Sequence, residues 1–104
     1  MKMNMNKLMQ QVQETQQKLQ DELSAMRVTG SSGGGIVEVT LDGTKQMIAL
    51  RIDPQAVNPA DVEMLQDLLL AAYNEAFRRA EEEASKKMGS LTGGLKIPGL
   101  GNLF

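Results

Sequence analysis

The chain of 104 residues contains no cysteine, no histidine and no tryptophan. Without thiols, disulfides and thiolate metal sites are excluded. Without imidazole, the commonest metal ligand and the usual proton shuttle near neutral pH are missing as well. Carboxylates remain, but none stands beside a nucleophile, and most fall on helix faces expected to be solvated. The chain is therefore not expected to be an enzyme. It offers no catalytic residue, no metal site, no cofactor and no small-molecule substrate. Aromatics are scarce too: Tyr73, Phe77 and Phe104 are all there are, so any core must be built from Leu, Val, Ile, Ala and Met. No apolar run approaches the ~20 residues of a membrane span. The first residues, "MKMNMNKLMQQ", hold no continuous apolar stretch, which makes the cytoplasm the expected location and excludes a membrane partner. The net charge of −2 does not by itself call for nucleic acid.

What is present has three periods. Over residues 4–26, apolar side chains fall at Met5, Met9, Val12, Leu19, Leu23 and Met26, with Gln16 in the one gap. Steps of four and three make this a helix with a heptad seam, too narrow to be stable without another helix against it. Gln16 either fixes register or marks a solvated gap. From Ile36 to Leu41 the pattern alternates, as a strand does. Asp42-Gly43 reads as a two-residue type I′ hairpin turn. That turn sets Leu41 opposite Thr44 and Val37 opposite Ile48, with Thr44–Ile52 as the return strand. Val37, Val39, Leu41, Ile48, Leu50 and Ile52 then share an apolar face, and Glu38, Thr40, Lys45, Met47 and Arg51 the other. Arg27-Val28-Thr29 predicts a shorter first strand, and Asp53-Pro54 ends the sheet. A second helix follows over 59–88, with Asn58 as N-cap, Pro59 in its first turn and Gly89 as the stop. Its apolar face narrows to alanines after Phe77, where two helices could approach closely. The expected layout is one domain over 1–89 and a mobile Gly-rich tail over 90–104.

"VTGSSGGGIVEVTLDG" (Val28 to Gly43) holds five of the ten glycines. A phosphate-cradling loop follows a strand and opens a helix. Here the glycines open a strand, so Gly33-Gly34-Gly35 reads as a flexible turn between strands.

The cations are informative by position. Lys2, Lys7 and Lys18 lie on the first helix, and Arg78, Arg79, Lys86 and Lys87 on the distal half of the second. If the helices pack antiparallel beyond the sheet, Lys2 and Lys7 approach Lys86 and Lys87, giving a basic end on an acidic molecule. A local patch of this kind can bind phosphates. Ordinary solvated lysines pairing with Glu81, Glu82 and Glu83 would give the same sequence.

In the order helix, three strands, helix, the stretches "MQQVQETQQKLQDEL", "VTGSSGGGIVEVTLDG", "LRIDP" and "LQDLLLAAYNEAFRR" resemble the YbaB/EbfC family of bacterial nucleoid-associated proteins, from about Asn6 to Met88. The resemblance implies an α+β fold with a three-stranded antiparallel sheet. It also implies a homodimer with protruding, tweezer-like paired helices and no enzyme activity or cofactor. Its partner would be double-stranded DNA, bound with little or modest sequence preference in the nucleoid, affecting nucleoid organisation and gene expression. Carried onto this chain, it points to Lys2, Lys7, Lys18, Arg78, Arg79, Lys86 and Lys87 as DNA contacts. The apolar sheet face supplies surface for a second subunit, with Val37, Val39, Ile48, Leu50 and Ile52 as the expected interface. The alternative is a helical module that docks a protein partner, with DNA incidental. DNA binding predicts a steep salt dependence, whereas docking predicts binding that survives salt and fails when apolar helix positions change.

Overall fold

The computed structural model of the chain describes residues 4–92, with side chains through Ser90. Lys2 and residues 93–104 of the expected tail lie outside the described residues. The element order is α1 (Met5–Ala25), β1 (Val28–Ser32), β2 (Val37–Leu41), β3 (Met47–Ile52), a 3-10 turn (Pro54–Ala56) and α2 (Val62–Thr92).

Helix α1 begins where Asn4 caps it. The Asn4 side chain accepts from the backbone N–H of Asn6 at 3.1 Å and of Lys7 at 3.4 Å, satisfying donors that a helix start leaves unpaired. Its heptad seam is packed only at the base. Leu19, Leu23 and Met26 are half-buried, while Met5, Met9 and Val12 further out are exposed. At about 1.5 Å per residue, α1 is an arm roughly 31 Å long, and it touches α2 over only a short stretch.

The strands form one antiparallel sheet in the order β1-β2-β3. Val37 lies opposite Ile52, Val39 opposite Leu50 and Leu41 opposite Met47, with a register shift at Thr40/Leu41. This corrects the expected pairing of Leu41 with Thr44 and Val37 with Ile48. The connection is not a two-residue turn. The chain closes from Asp42 to Gln46, and Lys45 (φ 72°), not Gly43, holds the left-handed conformation. Asp42 is the physical reason. One of its carboxylate oxygens accepts from the Thr44 N–H at 2.8 Å, the Thr44 hydroxyl at 2.6 Å and the Gln46 N–H at 3.0 Å. Gly43 serves packing instead. A Cβ there would stand 2.8 Å from both the Leu23 carbonyl oxygen and the Met26 sulfur. The Gly43 N–H donates to that carbonyl at 2.8 Å and so pins the root of α1. The register shift moves Met47 onto the inner face with Leu41 and makes Ile48 the extra residue of the bulge. The outer face carries Thr29, Ser31, Glu38, Thr40, Ala49 and Arg51.

Burial alone would push the Asp42 carboxyl up. The Thr44 hydroxyl, the Gln46 and Thr44 N–H groups and the Arg27 charge together hold it below its ordinary value of 3.8. A carboxyl depressed in the folded state contributes stability above its unfolded pKa, and that stability is lost as pH falls through the folded value. Asp42→Ala is therefore expected to cost about 1.5–3 kcal/mol near neutral pH, the range for hydrogen bonds to a charged group. The deficit should shrink as pH falls below 3.8, checked by urea melts at about pH 7 and about pH 3.

The glycine turn falls as expected between β1 and β2. Gly33, Gly34 and Gly35 all have positive φ (60°, 72° and 94°), a run that only glycine adopts cheaply. Asp53 caps the 3-10 turn that follows the sheet, accepting from the Gln55 N–H at 2.9 Å. The start of α2 differs from expectation. Asn58 closes a separate turn by accepting from the Ala60 N–H at 3.0 Å, and Asp61 caps the helix by accepting from the Met64 N–H at 3.1 Å. The helix also continues through Gly89 to Thr92. Gly89 has open space around it and an ordinary helical backbone, so residues 90–92 belong to α2 rather than to the tail.

The core lies between α2 and the inner face of β1 and β2. Val28, Val37, Val39 and Leu41 are buried there against Ala72, Ala76 and Ala80. These alanines repeat every four residues, one stripe along the helix. Ala72 and Ala76 bring the backbone of α2 close against Gly30 of β1. Leu65, Leu68, Leu69, Tyr73 and Phe77 pack around them. Since α2 lies over β1 and β2, β3 keeps an exposed inner face.

Candidate nucleic-acid interface

The cations separate into two sets. Lys7 and Lys18 are exposed on α1. Eleven residues apart, they lie about three turns along one face, roughly 17 Å from each other and opposite the Met5–Met9 seam. Neither forms an ion pair with a carboxylate among the described residues. The second set lies where the root of α1, the edge strand β1 and the distal half of α2 enclose a groove of about 660 Å³. Arg27, Arg79, Lys86 and Lys87 line it together with Glu82 and Glu83.

The structure does not gather the expected basic end in the form foreseen. Lys86 and Lys87 flank Met26 and Arg27 at the root of α1. Lys7 stands nineteen residues before Met26, about 28 Å further up the arm. Arg78 lies outside the groove, and its guanidinium is held by Glu82 at 2.6 Å. Arg79 is tied to Glu75 at 2.8 Å and donates to the Thr29 carbonyl at 3.1 Å, which caps part of the β1 edge. Lys86 meets Glu83 at 3.5 Å. These exposed pairs are individually weak and yield readily to a stronger anion. Lys87 has no carboxylate partner among the described residues. Arg27, which sequence reasoning missed, has none either. Its Nη1 donates to the Ser24 and Met26 carbonyls, both at 2.8 Å. The available signal was a cation directly after the last apolar residue of a helix, where free carbonyls attract it.

Lys45 belongs to the scaffold. Its ammonium lies 3.6 Å from Glu81 and 5.0 Å from the centre of the Phe77 ring, which ties the β2–β3 loop to α2. On the outer sheet face, hydrogen bonding to Arg51 holds the Glu38 carboxyl below its ordinary range, and the same contact raises Arg51.

The five residues expected at a dimer interface divide. Val37 and Val39 are buried within the single chain, because α2 covers β2. Ile48 and Leu50 are exposed, and Ile52 is half-buried. Beside them runs an open apolar groove lined by Val39, Met47, Leu50, Gln66, Leu69, Leu70 and Tyr73. Leu70, on the flank of α2, is 61% exposed.

Comparisons with known proteins agree with this layout. The sequence model of the YbaB/EbfC DNA-binding family matches residues 1–95. A nucleoid-associated protein of Pelotomaculum thermopropionicum is 50% identical over 100 residues, covering 93% of this chain and 95% of that protein. One of Desulforamulus reducens is 53% identical over 100 residues, with the same coverage of both chains. Among solved structures, the uncharacterized protein HP0035 from Helicobacter pylori superposes with a TM-score of 0.67. It is 24% identical and covers 86% of this chain and 98% of its own, so it has the same fold.

Proposed function

The chain belongs to the YbaB/EbfC DNA-binding family, and we propose that it acts as a homodimer that binds duplex DNA through its phosphates. Bound in the nucleoid of the cytoplasm with little sequence preference, it would influence nucleoid organisation and gene expression. The observation that carries this reading is the family match over residues 1–95, which falls on a fold whose arm and arm-root groove carry cations without carboxylate partners among the described residues. Phosphate contacts position a protein on DNA without reading sequence, and lysines on a solvated helix face suit that role. Homodimerisation is supported by the open groove beside β3. Met47, Leu50 and Leu70 are all exposed there, an apolar surface that a second copy would remove from water.

A second reading, a helical module that docks a protein partner, is favoured by one feature. Met5, Leu8, Met9 and Val12 are exposed on the arm.

Titrating the full chain with two duplexes of equal length and unrelated sequence separates the readings. Phosphate-held binding gives affinities within about tenfold of one another, a difference of no more than about 1.4 kcal/mol. Tight binding to one duplex only would contradict the low sequence preference. Binding to neither would favour docking.

A further inference from the structure

We propose that the groove at the root of α1 holds a backbone phosphate of the duplex, with Arg27 and Lys87 as its charged contacts. The inference rests on the DNA-binding reading and adds to it the place where one phosphate sits. Four cations and two carboxylates line the groove, a local excess of two positive charges on a chain whose net charge is −2. Most of those groups are already engaged. Arg79 serves Glu75 and the Thr29 carbonyl, Lys86 meets Glu83, and Glu82 is turned to Arg78. Arg27 and Lys87 are the two lining cations with no carboxylate partner among the described residues.

Arg27 is also held in place. Its Nη1 is fixed on the Ser24 and Met26 carbonyls, while Nε and Nη2 have no acceptor among the described residues. A guanidinium already locked at one edge loses little freedom when its other donors take up a phosphate, and its planar fork matches that anion. Asp42, whose carboxylate feels the Arg27 charge, has one oxygen taken up by Thr44 and Gln46 and forms no ion pair with Arg27 among the described residues. Lys87 supplies the mobile second charge from α2. The groove adjoins the arm, and Lys18 stands nine residues before Arg27, about 14 Å up the helix.

The test is the salt dependence of binding to a random-sequence duplex by the full chain, read by fluorescence anisotropy, for wild type, Arg27→Gln, Lys87→Gln and Arg51→Gln. Losing the groove phosphate makes the log–log slope shallower by about 0.9 per protomer and weakens binding roughly tenfold, the scale of one charge-assisted contact. Arg51→Gln, on the outer sheet face, keeps the wild-type slope. Arg27→Gln also frees the Ser24 and Met26 carbonyls, so Lys87→Gln, an exposed change with an unaltered melt, carries the test if the arm shifts. Wild-type slopes in both groove variants would overturn the inference and leave the DNA-binding reading standing. Absence of salt-sensitive duplex binding in the wild type would overturn both. Displacement of the duplex by low-millimolar inorganic phosphate at constant ionic strength would assign the groove to a free anion instead.

Discussion

Gly30→Ala is expected to destabilise the chain by at least about 3 kcal/mol, near the top of the range for overpacking. A Cβ at Gly30 would fall on the backbone nitrogen of Ala76. It would also lie 2.5 Å from the Ala72 carbonyl oxygen and 2.7 Å from the Ala76 Cα. These are backbone atoms of α2, so no rotamer change relieves the clash. The helix must lift from β1 and open the packing of Ala72, Ala76 and Ala80, each 0% exposed. For a domain of this size the loss lowers the melting temperature by roughly 12–24 °C. Ala76→Gly should not rescue it, since the methyl it removes is not what the new Cβ strikes. Gly34→Ala gives the contrast. Nothing lies within 4 Å of its Cβ, and only the left-handed backbone costs, about 1–2 kcal/mol. Equal effects at the two glycines would show that α2 does not rest on β1 as closely as described.

Leu50→Lys is expected to divide the proposed dimer while leaving the protomer folded. Leu50 pairs with Val39 in the sheet yet is 47% exposed, because α2 stops short of β3. In a single chain a lysine there keeps its ammonium in water at little cost. Inside a dimer it must be desolvated beside Met47, Leu69, Leu70 and Tyr73. In a two-fold interface the substitution counts twice. A penalty of about 1.5 kcal/mol per copy weakens association more than 100-fold. Sedimentation should then fall from twice the chain mass of 11.3 kDa to that mass itself. Duplex affinity should fall with it, as one arm replaces two. A Leu50→Lys chain that still sediments at the doubled mass would move the interface elsewhere. Val37, although on the same sheet face, is completely buried by α2, so substitutions there act on folding first.

Much of the fold is legible in the sequence because local chemistry decides it. The heptad seam marks α1 to within a residue, alternation marks β2, and three glycines mark a turn that needs positive φ three times over. What escapes is set by competition between neighbours. Asp42-Gly43 has the composition of a tight hairpin turn, but the Asp42 carboxylate gathers donors out to Gln46 and the pairing moves with it. Asn58 and Asp61 are both good caps, and only the path of the chain after the 3-10 turn selects Asp61. Gly89 has stop chemistry, yet α2 carries on through it. The alanine stripe was readable, but its partner was not assigned. The glycine inside the strand "VTGSS" was the available sign of a close backbone approach. For the candidate site, the residue types were visible and their grouping was not. Whether a sheet residue faces α2 or a second copy depends on where a helix lies sideways across three strands, which no pattern along one chain encodes. Arg27 was overlooked because it belongs to neither helix.

The salt dependence of duplex binding by the wild-type chain tests the proposed function most directly. If phosphate charge holds the complex, the logarithm of the binding constant falls linearly with the logarithm of salt concentration. Its slope should be steeper than about −2, corresponding to at least two or three neutralised phosphates, and the same for unrelated sequences. Binding that persists unchanged from about 50 to 200 mM salt, the range over which phosphate contacts weaken sharply, would contradict it.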